Sequence, residues 1–188
     1  ITMAFQTDGS NNVIAFAEAE DIFNLDQRLF EANEISFAES GTGATTLAEY
    51  LDILCQRATD RITTRMQASP EWASYTSSKN LVDSNSILPP VNKNLILGNL
   101  QDWTDICASY VFKEYLLPKV ADFGNPESSE VNKINFYETK SNELFSEKLA
   151  VINWYDADAD ASITSSDEMV NFRKNRRTRG KSYITRVR

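Results

Sequence analysis

The stretch that decides the fold is residues 125–155, NPESSEVNKINFYETKSNELFSEKLAVINWY, which the acidic segment 156–167, DADADASITSSD, and a basic tail follow. Asn125 is the expected N-cap of a helix, and Pro126 suits the first helical position. Apolar residues then recur at spacings of three, four or seven, the period of a helix with one buried stripe: Val131, Ile134, Tyr137, Leu144, Phe145, Leu149 and Ile152. The pattern predicts a helix of about 28 residues, roughly 42 Å long, which needs a second long helix or a neighbouring subunit to cover it.

Working outward, the preceding segment predicts a partner for this helix. Asn99 with Asp102 begins a helix whose buried side is Trp103, Ile106, Cys107, Tyr110, Val111 and Leu117, and Pro118 is expected to end it. The link 121–124 is short, so the two helices should run antiparallel and pack on each other.

Two more helices are predicted nearer the N-terminus. Thr46 and Glu49 form a capping box, and the helix that it opens carries an apolar stripe to about Ala68. A shorter helix is expected over 20–32. Pro70 ends that helix or bends the chain into a short helical turn around Trp72 and Tyr75. These two aromatic residues are either core residues or an exposed contact for a partner.

These elements predict a mainly α fold, a bundle of about four helices. An extended N-terminal arm (1–17), a long polar central loop (77–94, with Pro89 and Pro90) and a basic C-terminal arm complete it. We expect one helical domain over 1–172 and a separate arm over 173–188. No secretory signal and no apolar run near ~18 residues is visible, which predicts a soluble chain.

Composition argues against common catalytic centres. Histidine is absent from the 188 residues, which removes Ser-His-Asp and Cys-His nucleophile pairs and leaves zinc few ligand sets. No glycine-rich phosphate-binding motif occurs. Cys55 and Cys107 both fall in predicted amphipathic helices, where free thiols commonly pack as small apolar groups; the alternatives are a disulfide and a reactive thiol. The sequence therefore favours a protein that is not an enzyme.

Charge is strongly segregated along the chain. The last sixteen residues hold eight of the 19 basic residues and no acid, so residues 1–172 carry 11 basic and 27 acidic residues, a formal charge of −16. Such an arm binds nucleic acid, docks on an acidic protein surface, or remains a disordered solubilising tail. Its end alternates like a strand that could add to a neighbour's sheet. The expected partner-binding residues are Arg173, Lys174, Arg176, Arg177, Arg179, Lys181, Tyr183, Ile184, Arg186 and Arg188.

The acidic segment matches the spacing of an EF-hand calcium loop. Its candidate ligands are Asp156, Asp158, Asp160, Ser162 and Asp167, because Ca²⁺ takes six to eight oxygen ligands and alternating carboxylates supply them. Two departures weaken the match: Ala161 replaces the usual glycine, and Asp167 replaces a longer glutamate. The alternative is a solvated acidic turn, followed by a short helix that Ser165 and Glu168 cap.

Together the segments resemble the head-to-tail connector (adaptor) proteins of tailed bacteriophages. The likeness is carried by 26–33, DQRLFEAN, before a long helix, by 102–107, DWTDIC, running to 114–121, EYLLPKVA, and by 154–156, WYD, before the acidic loop.

The resemblance implies a virion neck protein, assembled in the host cytoplasm, that catalyses nothing. It would form a ring of twelve copies beneath the portal, dock on the portal through its C-terminal arm and meet a downstream neck or tail protein. DNA would pass through the ring without sequence-specific binding, and an acidic wall would repel phosphate. Two alternatives remain: an EF-hand-like calcium-binding interaction module, and a nucleic-acid-binding protein with a basic arm.

Overall fold

The computed structural model describes residues 5–32, 42–79, 81–82, 87–97, 100–125, 128–150, 154–156, 158–160 and 162. A two-stranded antiparallel hairpin precedes a set of helices, and the mainly α fold is confirmed. The elements are β1 (Gln6–Thr7), β2 (Val13–Ala15), α1 (Ala19–Leu25), α2 (Gln27–Ala32), α3 (Leu47–Gln67), α4 (Pro70–Ser78), a 3₁₀ turn (Lys93–Leu95), α5 (Leu100–Val111), a π-helical turn (Phe112–Leu116), α6 (Leu117–Val120) and α7 (Ser129–Ala150).

The predicted capping box of α3 is confirmed. The Thr46 hydroxyl accepts a hydrogen bond from the Glu49 amide (3.2 Å), and the Glu49 carboxylate accepts one from the Thr46 amide (3.3 Å). These bonds satisfy two groups that a helix start leaves unpaired. The predicted stripe is buried from Tyr50 to Met66.

The helix predicted over 20–32 is broken at Asp26. There the backbone leaves the helical region (φ −148°, ψ 74°), which ends α1. The Asp26 carboxylate then accepts from the Leu29 amide of α2 (3.2 Å) and from Lys133 Nζ of α7 (2.6 Å). Asp26 therefore sets the boundary between α1 and α2, because it caps α2 and pairs with Lys133 of α7. The sequence shows the capping role of Asp26 but not its distant ion pair.

Pro118 does not end the helical run, contrary to the prediction. The π-helical turn 112–116 follows α5, the Leu117 amide donates to the Phe112 carbonyl five residues back, and Pro118 continues the run as the second residue of α6. The chain leaves the helix only at Ala121, whose amide donates to the Leu117 carbonyl (2.9 Å).

Helix α7 begins later than predicted. Ser128 is its N-cap: its hydroxyl accepts from the Val131 amide (3.3 Å) and its carbonyl from the Asn132 amide (3.2 Å). Asn125 instead lies in the preceding turn, and Pro126 lies outside the described residues. The 22 residues span about 33 Å. As predicted, α7 packs extensively on α5, burying Tyr137, Ser141, Phe145, Lys148 and Leu149.

The described part of the N-terminal segment is extended and inserted into the core. Phe5 and Phe16 are buried and their rings lie 5.0 Å apart. Thr59 of α3 and Thr104 of α5 hold the Phe16 backbone: Phe16 N–H donates to Thr59 Oγ1 (2.9 Å), and Thr104 Oγ1 donates to the Phe16 carbonyl (2.8 Å). This threonine clamp ties the hairpin to both helices.

Trp72 and Tyr75 are core residues, so the first of the two alternatives is confirmed. Each is 1% exposed, and Trp72 packs 6.1 Å from Trp154, which itself lies 5.5 Å from Trp103. The free, buried state expected for Cys55 and Cys107 is also confirmed.

The central loop contacts its own chain where the structure describes it. Gln67 Nε2 donates to the Leu88 carbonyl (3.2 Å) and Trp72 Nε1 to the Pro89 carbonyl (2.9 Å). The prolines keep 87–92 out of a helix, as predicted. Among the described residues, no helix combines the length and the apolar character that crossing a bilayer requires.

Candidate functional site

A short backbone pairing attaches the acidic loop to the core, and no pattern in the sequence predicts it. Residues 154–156 run antiparallel to residues 95–97, with Ile96 opposite Tyr155. Leu97 N–H donates to the Trp154 carbonyl (2.9 Å), and Asp156 N–H donates to the Leu95 carbonyl (2.8 Å). The pairing fixes the start of the loop against the 3₁₀ turn.

Three carboxylates of this loop converge. Asp156, Asp158 and Asp160 each offer an oxygen, and the three oxygens lie within 4.8 Å of one another. Asp156 is 2% exposed, whereas Asp158 and Asp160 face solvent. Like charges at such distances repel, so a cation between them would relieve the repulsion.

Hydrogen bonds within the loop shape this cluster. Asp160 N–H donates to Asp156 Oδ1 (3.3 Å), and Ser162 donates to Asp160 Oδ1 from both its amide (2.9 Å) and its hydroxyl (2.8 Å). Ala159 has a φ of 58°, in the left-handed region that costs an alanine free energy. The loop thus turns sharply at Ala159, whereas an EF-hand is expected to place its glycine at the position of Ala161.

Tyr155 separates the cluster from the aromatic core. Its ring packs edge-on to Trp72, with centroids 4.9 Å apart, and its hydroxyl accepts from the Asn92 amide (3.4 Å). Burial, and to a smaller extent the charge of Asp156, raise the pKa of Tyr155. The phenol therefore stays neutral at physiological pH and adds no negative charge beside the carboxylates.

The structure brings together three of the five predicted metal ligands. Asp156, Asp158 and Asp160 form the cluster, and the Ser162 hydroxyl is engaged with Asp160. Asp167 lies outside the described residues. All ten predicted partner-binding residues of 173–188 also lie outside them, as do Ser165 and Glu168.

A second charged surface was not predicted from the sequence. Arg57, Arg61 and Arg65 recur every fourth residue along α3, and all three are exposed; we call them the arginine stripe. The i, i+4, i+8 spacing is a sequence signal that could have found it. Arg65 is the most fixed of the three, because its guanidinium lies 4.2 Å from the Phe145 ring centroid and donates to Asn142 Oδ1 (2.8 Å).

Comparisons of this chain with protein-family models, with curated proteins and with solved structures find no match.

Proposed function

We propose that the chain is a structural subunit of a head-to-tail connector of a tailed bacteriophage, forming a ring beneath the portal. The observation that carries the proposal is the outer face of α7, where Phe136, Glu143 and Glu147 are exposed. This helix buries one side against α5 and α6 and leaves Phe136 on its other side 60% exposed. Burying an exposed phenylalanine side chain gains about 1.5–3 kcal/mol, so a neighbouring molecule that covers this face would be stabilised by it.

The surroundings of α7 add to this support. Phe123, in the link before α7, is 66% exposed. The segments that resemble connector proteins, 102–107 and 114–121, fall in α5, the π-helical turn and α6, on which α7 packs. In this role residues 173–188 dock on the portal, and the acidic body faces the DNA without holding it, since like charges repel.

Binding to portal oligomers tests this proposal. Electron micrographs of the chain mixed with portal rings should show added density on one face of each ring. Deleting residues 173–188 should weaken the binding at least tenfold, because eight cations are lost. A matched variant, Tyr183→Ser with Ile184→Ser, keeps every charge but removes two side chains of the strand-like end. It tests whether the charges or the strand-like packing of the tail drive the binding.

Two results count against this proposal. Full-length chain that does not bind portal oligomers contradicts the connector role. Salt-sensitive binding to duplex DNA that disappears on truncation would favour the nucleic-acid-binding alternative instead, because releasing counterions makes such binding steeply dependent on salt.

A second candidate function is calcium binding by the acidic loop, and the convergence of three carboxylate oxygens favours it. With three carboxylates in place, we expect a dissociation constant of about 10⁻⁴–10⁻³ M, the weak end of the range for such loops. At about 1 mM calcium, one to ten times that constant, binding should stabilise the fold by about 0.4–1.4 kcal/mol.

Calorimetric titration and thermal melting in millimolar Ca²⁺ measure this. Asp158→Asn with Asp160→Asn should abolish both the heat and the shift in melting temperature, because both side chains are exposed and their loss leaves the core intact. Asp122→Asn, at an exposed aspartate of the α6–α7 link, is the control. The absence of heat and of any shift in the wild-type chain would remove this candidate.

A further inference from the structure

The arginine stripe stands out because the body around it is acidic. Residues 1–172 hold 11 basic residues against 27 acidic ones, yet three of those 11 lie within two turns of α3, about 12 Å from first to last. Arg57 and Arg61 form no ion pair among the described residues. The nearby acids are engaged: Asp60 pairs with Lys93 (3.1 Å) and Glu114 with Lys113 (3.5 Å).

Two tyrosines adjoin the arginine stripe. Tyr110 and Tyr115 are half-buried, with ring centroids 6.5 Å apart. Burial raises the pKa of both hydroxyls, and the charge of Arg61 opposes that rise at both. The charge of Arg61 therefore acts on both hydroxyls, and Lys113 Nζ lies 4.8 Å from the Tyr110 ring centroid, which places cations beside an aromatic platform.

The outer face of α7 has the complementary character. Glu143 and Glu147 are exposed one turn apart, and neither forms an ion pair among the described residues. Phe136 lies on the same face, about two turns before Glu143. Half-exposed Lys140, three residues before Glu143, lies on the same side of the helix, whereas Lys148, next to Glu147, is buried and pairs with Asp102 (3.0 Å). We call Phe136, Glu143 and Glu147 the glutamate face; it spans about 16 Å.

We infer that the arginine stripe of one copy binds the glutamate face of the next copy. Opposite charges and aromatic groups meet across this contact, and the two surfaces have similar lengths. The contact joins two different patches, so each added copy leaves one patch free at either end, which generates a closed ring or an open filament. This inference rests on the proposed ring and names the surfaces that build it.

A polyanion is the competing ligand for the arginine stripe. The observations favour a second copy, because three arginines neutralise few phosphates and a body at −16 repels a polyanion. A second copy of the whole chain carries a formal charge of only −8, because its basic tail offsets half of the charge of its acidic body, so it is repelled less than a long polyanion. The basic tail 173–188 cannot be the occupant, since its charge has the same sign as the stripe.

Charge reversal tests the contact in the full chain. Sedimentation at about 50 mM NaCl should show self-association that weakens at about 500 mM NaCl. Arg57→Glu with Arg61→Glu, or Glu143→Lys with Glu147→Lys, should each weaken self-association at least tenfold. Mixing the two variants should restore self-association, because the reversed arginine stripe of one variant then meets the reversed glutamate face of the other. Circular dichroism checks that each variant is folded.

Controls with the same change in net charge are Arg28→Glu with Lys79→Glu, and Glu20→Lys with Glu31→Lys; they should associate like wild type. Wild-type chain that stays monomeric overturns the inference, as does a stripe variant that associates normally. A stripe variant that loses only duplex DNA binding also overturns it. Each result leaves the connector proposal to its own test, binding to portal oligomers.

Discussion

Trp154→Ala should lower the free energy of unfolding by about 3–5 kcal/mol, the usual cost of truncating a buried tryptophan. Trp154 is fully buried, and its ring lies 5.5 Å from Trp103 and 6.1 Å from Trp72. Its carbonyl also accepts from the Leu97 amide, so the cavity opens where the acidic loop joins the core. Urea denaturation followed by circular dichroism measures the loss, with an unchanged slope if unfolding stays two-state.

Two comparisons make this prediction specific. Phe123→Ala removes a ring that is 66% exposed and should change stability by no more than about 0.5 kcal/mol. Trp154→Phe should cost less than Trp154→Ala, because it fills part of the cavity and removes an indole N–H that has no acceptor among the described residues. A loss below about 1 kcal/mol for Trp154→Ala would contradict the packing described above.

Breaking the threonine clamp should have the next largest effect. Thr59→Val leaves the buried Phe16 N–H without its acceptor, and Thr104→Val leaves the Phe16 carbonyl without its donor. Each substitution keeps the side-chain volume nearly constant and should cost about 1–3 kcal/mol, the penalty for an unsatisfied buried polar group. Denaturation of both single variants and the double variant measures the effects.

The double-mutant cycle tests whether the two threonines act together on Phe16. Because both threonines hold one residue, the double variant should lose less than the sum of the single losses. Hydrogen exchange at the Phe16 amide should accelerate in Thr59→Val. Thr64→Val, on the exposed side of α3, removes a hydroxyl that bonds only within its helix (2.7 Å to the Asp60 carbonyl) and is the matched control. Equal losses in Thr59→Val and Thr64→Val would argue against the clamp.

Local signals predicted the helices well where one short segment holds all the information. The Thr46 capping box and the stripe from Tyr50 to Met66 needed only the chemistry of a helix start and a period of 3.6 residues. These signals failed where two nearby residues could both cap the same helix. Asn125 and Pro126 have the residue types of a helix start, but Ser128, three residues later, caps α7.

The sequence was least informative about the surroundings of the candidate site. The alternation of Asp156, Asp158 and Asp160 predicted a cluster of oxygens, and the structure brings those oxygens together. The pairing of 154–156 with 95–97 joins segments almost 60 residues apart, and no local pattern encodes it. The arginine stripe, in contrast, is periodic in the sequence and could have been predicted from it.

By itself the sequence determined the mainly α class, the buried stripes and the separation of an acidic body from a basic tail, because periodicity, capping and charge count are properties of short segments. Only the tertiary structure decided that the hairpin enters the core through Phe16, that Pro118 continues a helical run after a π-helical turn, and that Asp26 ties α2 to α7. Those features depend on contacts between residues that are distant along the chain, and such contacts form only when the folded backbone brings their partners together.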